Sequence, residues 1–95
     1  GNISEAKSNF LKAYEIDNNN IEPLSELGRI FEMENNFEEA RKYFEEALKI
    51  DIDHRKTNLR IGNMYLKMNQ HKKGLKFIQK SAGLIRFSSK GFEII

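Results

Sequence analysis

The side chains able to do chemistry in this 95-residue chain are mostly charged ones. Catalytic and metal-binding groupings have little to build on. His54 and His71 fall in two turns with a whole helix between them, and neither an HExxH sequence nor a glycine-rich phosphate loop occurs. Asp51-Ile52-Asp53 starts as a calcium loop starts but continues His54-Arg55-Lys56, which sets Arg55 where a third oxygen ligand belongs and Lys56 where the loop needs glycine. No cysteine is present to hold zinc or an iron–sulfur cluster or to form a disulfide. The expectation is a protein without metal or cofactor that is not an enzyme.

Recognition chemistry has more to work with. Glu22, Ser25, Glu26 and Arg29 recur at three- and four-residue intervals, and Lys56, Leu59, Arg60 and Asn63 repeat those offsets 34 residues later. In a helix such spacing puts each set on one side. Lys56 and Arg60, with Arg29, make a modest positive set able to pair with carboxylates; the competing reading is a solvated helix face. Lys72, Lys76 and Lys80 form a second basic stripe, with Lys67, Lys73 and Arg86 nearby, of the kind that can track phosphates. Tyr65 and Phe77 have core or near-core phases and are not interleaved with those lysines as a stacking platform, so nucleic acid is not the expected partner.

Helices must position these groups. Asn2 with Glu5 makes a variant capping box ahead of Ala6, Phe10 and Ala13, which predicts a helix from about Ile3 to Ile16. Asp17-Asn18-Asn19-Asn20 ends it. Leu24, Leu27 and Phe31 place a second helix after the cap Asn20, with Pro23 harmless in its first turn. Asn35-Asn36 turns the chain into a third helix reaching about Ile50, whose acidic first turn, Glu38 and Glu39, suits the positive end of the helix dipole. A fourth helix runs from about His54 to Met68. After Asn69-Gln70, a fifth carries Leu75, Ile78, Ala82 and Ile85. Its start is poor, because Gln70 is a weak cap and Lys72 and Lys73 oppose the dipole at roughly 0.3–1 kcal/mol each. Gly28 sits mid-helix, where glycine costs about 1 kcal/mol against alanine, a cost that makes sense if another backbone comes close. At Gly74 the same propensity predicts that alanine raises stability by about 1 kcal/mol if the site is helical and has room for a methyl, and lowers it if the small residue is needed for close packing.

The apolar pattern repeats. Leu24, Leu27-Gly28, Phe31, Ala40, Phe44 and Ala47 return 34 residues later as Asn58, Ile61-Gly62, Tyr65, Gly74, Ile78 and Ser81, and Ala6, Phe10 and Ala13 match the back half of an earlier copy. This spacing resembles the tetratricopeptide repeat, whose period is 34. The resemblance implies an all-α fold, an α-solenoid of stacked antiparallel helix hairpins in a TPR-like right-handed superhelix, with about five helices plus a C-terminal tail. The expected layout is a single domain over 1–95: the second helix of a partial repeat at 1–20, a repeat at 21–54, another at 55–88, and a tail or cap at 89–95. The junctions depart from the family in having Asn18, Ile52 and Arg86 where proline is common.

The function implied by the resemblance is protein–protein recognition, as a module or scaffold that binds a peptide or partner segment in its concave groove. Arg29, Lys56, Arg60 and Asn63 would be the main polar contacts, with Glu22, Ser25, Glu26 and Leu59 beside them. Lys56 and Arg60 match the last two positions of the five-residue carboxylate clamp in the family's chaperone-tail binders. Glu26 stands where that clamp has its middle asparagine, and the helix that would supply the first two residues is missing, so the complete clamp is not expected. The alternatives are a self-associating repeat segment or an accessory array of a larger enzyme.

Charge is unevenly spread within the overall +2: residues 1–53 hold 6 basic and 13 acidic side chains, residues 54–95 hold 10 basic and 1 acidic. Pairing of oppositely charged ends would offer a route to a homo-oligomer. Apolar runs fall far short of the roughly 20 residues that span a bilayer, and the first residues lack a signal-peptide pattern. A cytoplasmic protein without membrane contact is expected. The chain starts at Gly1 rather than methionine and reads as a piece of a longer one. Its last stretch, Phe87 to Ile95, is too apolar for a free end: it would cap the stack, begin a next element, or add to a neighbouring molecule.

Overall fold

The computed structural model describes residues 2–82, 85–88 and 91–94. Helices α1 (Ile3–Ile16), α2 (Ile21–Met33), α3 (Phe37–Ile50), α4 (Arg55–Lys67) and α5 (His71–Ala82) are followed by strands β1 (Ile85–Ser88) and β2 (Gly91–Ile94). The chain divides into two compact units, Gly1–Ile52 and Asp53–Ile95.

In the first unit α2 and α3 make a hairpin. Asn35 takes a left-handed backbone, φ 61°, and the Asn36 N–H reaches back to the Phe31 carbonyl at 2.9 Å, which closes α2 in the manner of a Schellman motif. Asn20 and Asn36 cap as their positions predict, accepting from Glu22 N at 3.2 Å and Glu39 N at 3.4 Å. Asn2 does not: at φ −106°, ψ 11° its backbone is not extended and its side chain makes no cap bond, since a cap needs the extended conformation to aim its oxygen into the first turn.

Leu24, Leu27, Ile30, Ala40, Phe44 and Ala47 are buried. The glycine in mid-helix makes room for a ring rather than for the approaching backbone expected: a Cβ on Gly28 would fall 2.8 Å from Phe44 Cζ and closer still to two other ring carbons. Beside this contact Phe31 and Tyr43 stack, centroids 5.5 Å apart and planes 3° apart. Helix α1 has no fully buried residue. Lys7 ties it to α2, lying 4.7 Å over the Phe31 ring and 2.8 Å from Glu34 Oε1.

The second unit uses the same devices 34 residues on. Asn69 has φ 62°, Gln70 N–H donates to the Tyr65 carbonyl at 2.8 Å, and Tyr65 stacks on Phe77 at 5.7 Å. Its first cap is one that sequence reasoning missed. His54 stands at the N-terminus of α4 with an extended backbone, and its Nδ1 accepts from Thr57 N at 3.3 Å and lies 2.8 Å from Thr57 Oγ1. Asn58 occupies the repeat position of Leu24 and is buried; its amide donates to the His54 carbonyl at 2.9 Å. Arg55 reaches across this hairpin to the Ala82 carbonyl at 2.7 Å, placing a cation at the negative end of α5.

Where α4 and α5 cross, glycine faces glycine. A Cβ on Gly74 would come 2.8 Å from the Gly62 carbonyl oxygen and 3.0 Å from Leu66, and one on Gly62 would come 2.8 Å from the Gly74 oxygen. Backbone cannot yield as a side-chain tip can, so of the two conditions for a stabilising alanine at Gly74 only one is met: the site is helical but has no room for a methyl.

Helix α5 ends at Ala82, so Ile85 belongs to a strand rather than to the fifth helix. β1 and β2 pair antiparallel, with Ile85 opposite Ile94, Arg86 opposite Glu93, Phe87 opposite Phe92 and Ser88 opposite Gly91. The period-2 alternation of Ile85-Arg86-Phe87-Ser88 and Gly91-Phe92-Glu93-Ile94 was the available signal. The choice among cap, next element and intermolecular contact rests on side chains outside the described residues.

Candidate functional site

On α2, the predicted site residues separate. Ser25 has none of its surface exposed, which corrects its assignment to an open face: α2 contacts both α1 and α3 and buries Pro23, Leu24, Ser25, Leu27, Gly28 and Ile30, more of its circumference than a single stripe. Glu22 is exposed. Glu26 and Arg29 pair with each other at 2.9 Å, and Arg29 also points Nη1 at Met33 Sδ, 3.3 Å away. The guanidinium is therefore drawn onto its own helix, one turn from a carboxylate that neutralises it.

On α4 the residues stay together. Lys56, Leu59 and Asn63 are exposed and Arg60 is half-buried, along roughly 10 Å of helix. Leu59, 43 % exposed, gives this face an apolar centre. The helix carries Arg55, Lys56, Arg60 and Lys67 and no acidic residue. Such a surface suits a segment that offers carboxylates around an apolar side chain.

Concavities among the described residues lie elsewhere. One, of about 490 Å³ in the first unit, is lined by Tyr14, Asn18, Asn19, Glu46, Lys49 and Ile50, and its Glu46 and Lys49 pair with each other at 3.1 Å. Another, of about 370 Å³ in the second unit, is lined by Lys73, Lys76, Phe77 and Lys80.

The histidines have local roles or none in a cluster. His54 is occupied as a helix cap, and among the described residues no three or more acidic or histidine side chains gather as a metal site. No helix among the described residues is long and apolar enough to cross a membrane.

Comparison with known proteins agrees with this architecture. The family model described as tetratricopeptide repeat matches residues 21–54, which are α2, the turn, α3 and the link to α4. A solved structure titled "MamA MSR-1 C2" is similar at a TM-score of 0.70 and 22 % identity, covering 85 % of this chain and 49 % of that one. The chain thus spans about half the length of that structure, and at this identity the likeness concerns the fold. No curated protein matches. The family match places a tetratricopeptide repeat, a helix hairpin of the protein-interaction and scaffold kind, at residues 21–54, and the helical fold around it is similar to that of the solved structure.

Proposed function

We propose that the chain recognises a partner protein through the α4 face formed by Lys56, Leu59, Arg60 and Asn63, taking a segment that carries carboxylates beside an apolar residue. The observation that carries this reading is the exposed Leu59 set among cations on a helix with no acidic residue. Exposed ion pairs alone contribute little, about 0–1 kcal/mol each. An apolar contact that excludes water around Lys56 and Arg60 makes them count for more. Arg29 is a lesser contributor, because a partner carboxylate must displace Glu26 to reach it.

The test is fluorescence polarisation with a library of labelled acidic, leucine-containing peptides, followed by variants measured on the tightest binder. Lys56→Glu with Arg60→Glu should weaken binding about tenfold or more, with the helical circular dichroism unchanged. Leu59→Ala should weaken it severalfold. Affinity that survives both would rule the α4 face out.

A further inference from the structure

The geometry points to a second docking surface, on α5, for an acidic segment of a partner protein that carries an aromatic or other apolar residue. Lys73, Lys76, Phe77 and Lys80 line an open concavity of about 370 Å³. Their three- and four-residue spacing places them on one side of the helix, so three ammonium groups surround one half-buried ring.

The preceding hairpin shows that the fold does not demand this arrangement. Thirty-four residues earlier the same positions hold Glu39, Lys42, Tyr43 and Glu46. The aromatic is kept, with Tyr43 stacked on Phe31 as Phe77 is on Tyr65, while two glutamates have become lysines. At the helix start the exchange works against the dipole: α3 has Glu38 and Glu39 in its first turn, whereas α5 has no acidic residue there. A helix start that opposes its own dipole is the kind of local inconsistency found at functional sites.

The lysines are also poorly satisfied within the unit. Lys73 lies 4.9 Å over the Tyr65 ring, and Lys76 pairs with no carboxylate among the described residues. Lys80 lies 3.7 Å from Asp53 Oδ1, whose side chain is 80 % exposed. Asp53 shows the kind of group Lys80 receives, and a contact so long and exposed gives way readily to an incoming carboxylate. Phe77 supplies an apolar floor. A single ring that is already stacked lacks the successive platforms that single-stranded nucleic acid uses, which favours polypeptide over RNA.

The probe is a fluorescein-labelled peptide with three glutamates on each side of a phenylalanine, measured by polarisation in low salt. Controls are a peptide of seven glutamates and a seven-nucleotide oligouridine. The phenylalanine peptide should bind about fivefold or more tighter than the all-glutamate one. Lys76→Glu with Lys80→Glu should weaken it about tenfold or more, and Lys76→Ala with Lys80→Ala about fivefold, both with unchanged circular dichroism. Asp53→Asn should tighten it about twofold. Lys56→Glu with Arg60→Glu, which tests the α4 reading, should leave it within about twofold. Binding indifferent to both Lys76/Lys80 variants, binding abolished by the α4 variant alone, or tighter binding of oligouridine would overturn the proposal. So would a dimer of the chain, seen by sedimentation, that the Lys76/Lys80 variants dissolve, since a second copy would then be the occupant.

Discussion

Gly62 and Gly74 face each other across the α4–α5 crossing, and a Cβ on either would lie 2.8 Å from the other's carbonyl oxygen. Helix propensity favours alanine over glycine by about 1 kcal/mol, but overpacking costs typically 1–3 kcal/mol, and here the obstacle is backbone. Gly74→Ala should therefore lower the unfolding free energy by about 1–2 kcal/mol in denaturant titrations. A raised midpoint would show that α4 and α5 can separate at little cost.

At the corresponding crossing of α2 and α3, the glycine meets a ring instead of a glycine. Gly28→Ala should cost about 1–3 kcal/mol by collision with Phe44, and Phe44→Ala about 3–5 kcal/mol by leaving a cavity. The two act on the same space, so the double variant should lose clearly less than the two losses combined. Strict additivity would mean that the methyl and the ring do not compete.

The cap on α4 predicts a residue-specific pattern. His54→Ala should destabilise by about 1 kcal/mol, whereas His54→Asn or His54→Asp should recover most of the loss, since either offers an oxygen to the Thr57 N–H. Equal losses for all three would leave the cap bond without weight. Because Thr57 is buried, the effect should be seen in amide-exchange protection at the start of α4.

The two left-handed asparagines predict the opposite of most glycine substitutions. Asn35→Gly and Asn69→Gly should be neutral or stabilising by a few tenths of a kcal/mol, while Asn69→Val should cost about 1–2 kcal/mol because its Cβ crowds the following carbonyl. Thermal melts of the three variants decide it, and a stable Asn69→Val would refute a positive φ at that position.

Much of the fold was legible because the signals that define it are local. The Asn20 and Asn36 caps, the asparagine turns and the apolar spacing act within a turn or two of helix, and the second hairpin repeats them in phase. Two local readings still failed. Asn2 has the right side chain on the wrong backbone, and the helical phase at Ile85 masked a strand alternation of equal quality. The candidate site was less legible. Ser25 and Glu26 share a helix face on paper, yet only packing around α2 determines that one is buried and the other pairs with Arg29.

From the sequence alone came the period of 34, the helices and their turns, the family resemblance and the steep change of charge between residues 1–53 and 54–95. The tertiary structure alone decided the sign of an alanine at Gly74 and the burial of Ser25. The division follows from range: periodicity and capping are set between residues a few positions apart, whereas closeness of approach and burial depend on how two helices meet, and no spacing along one of them contains that distance.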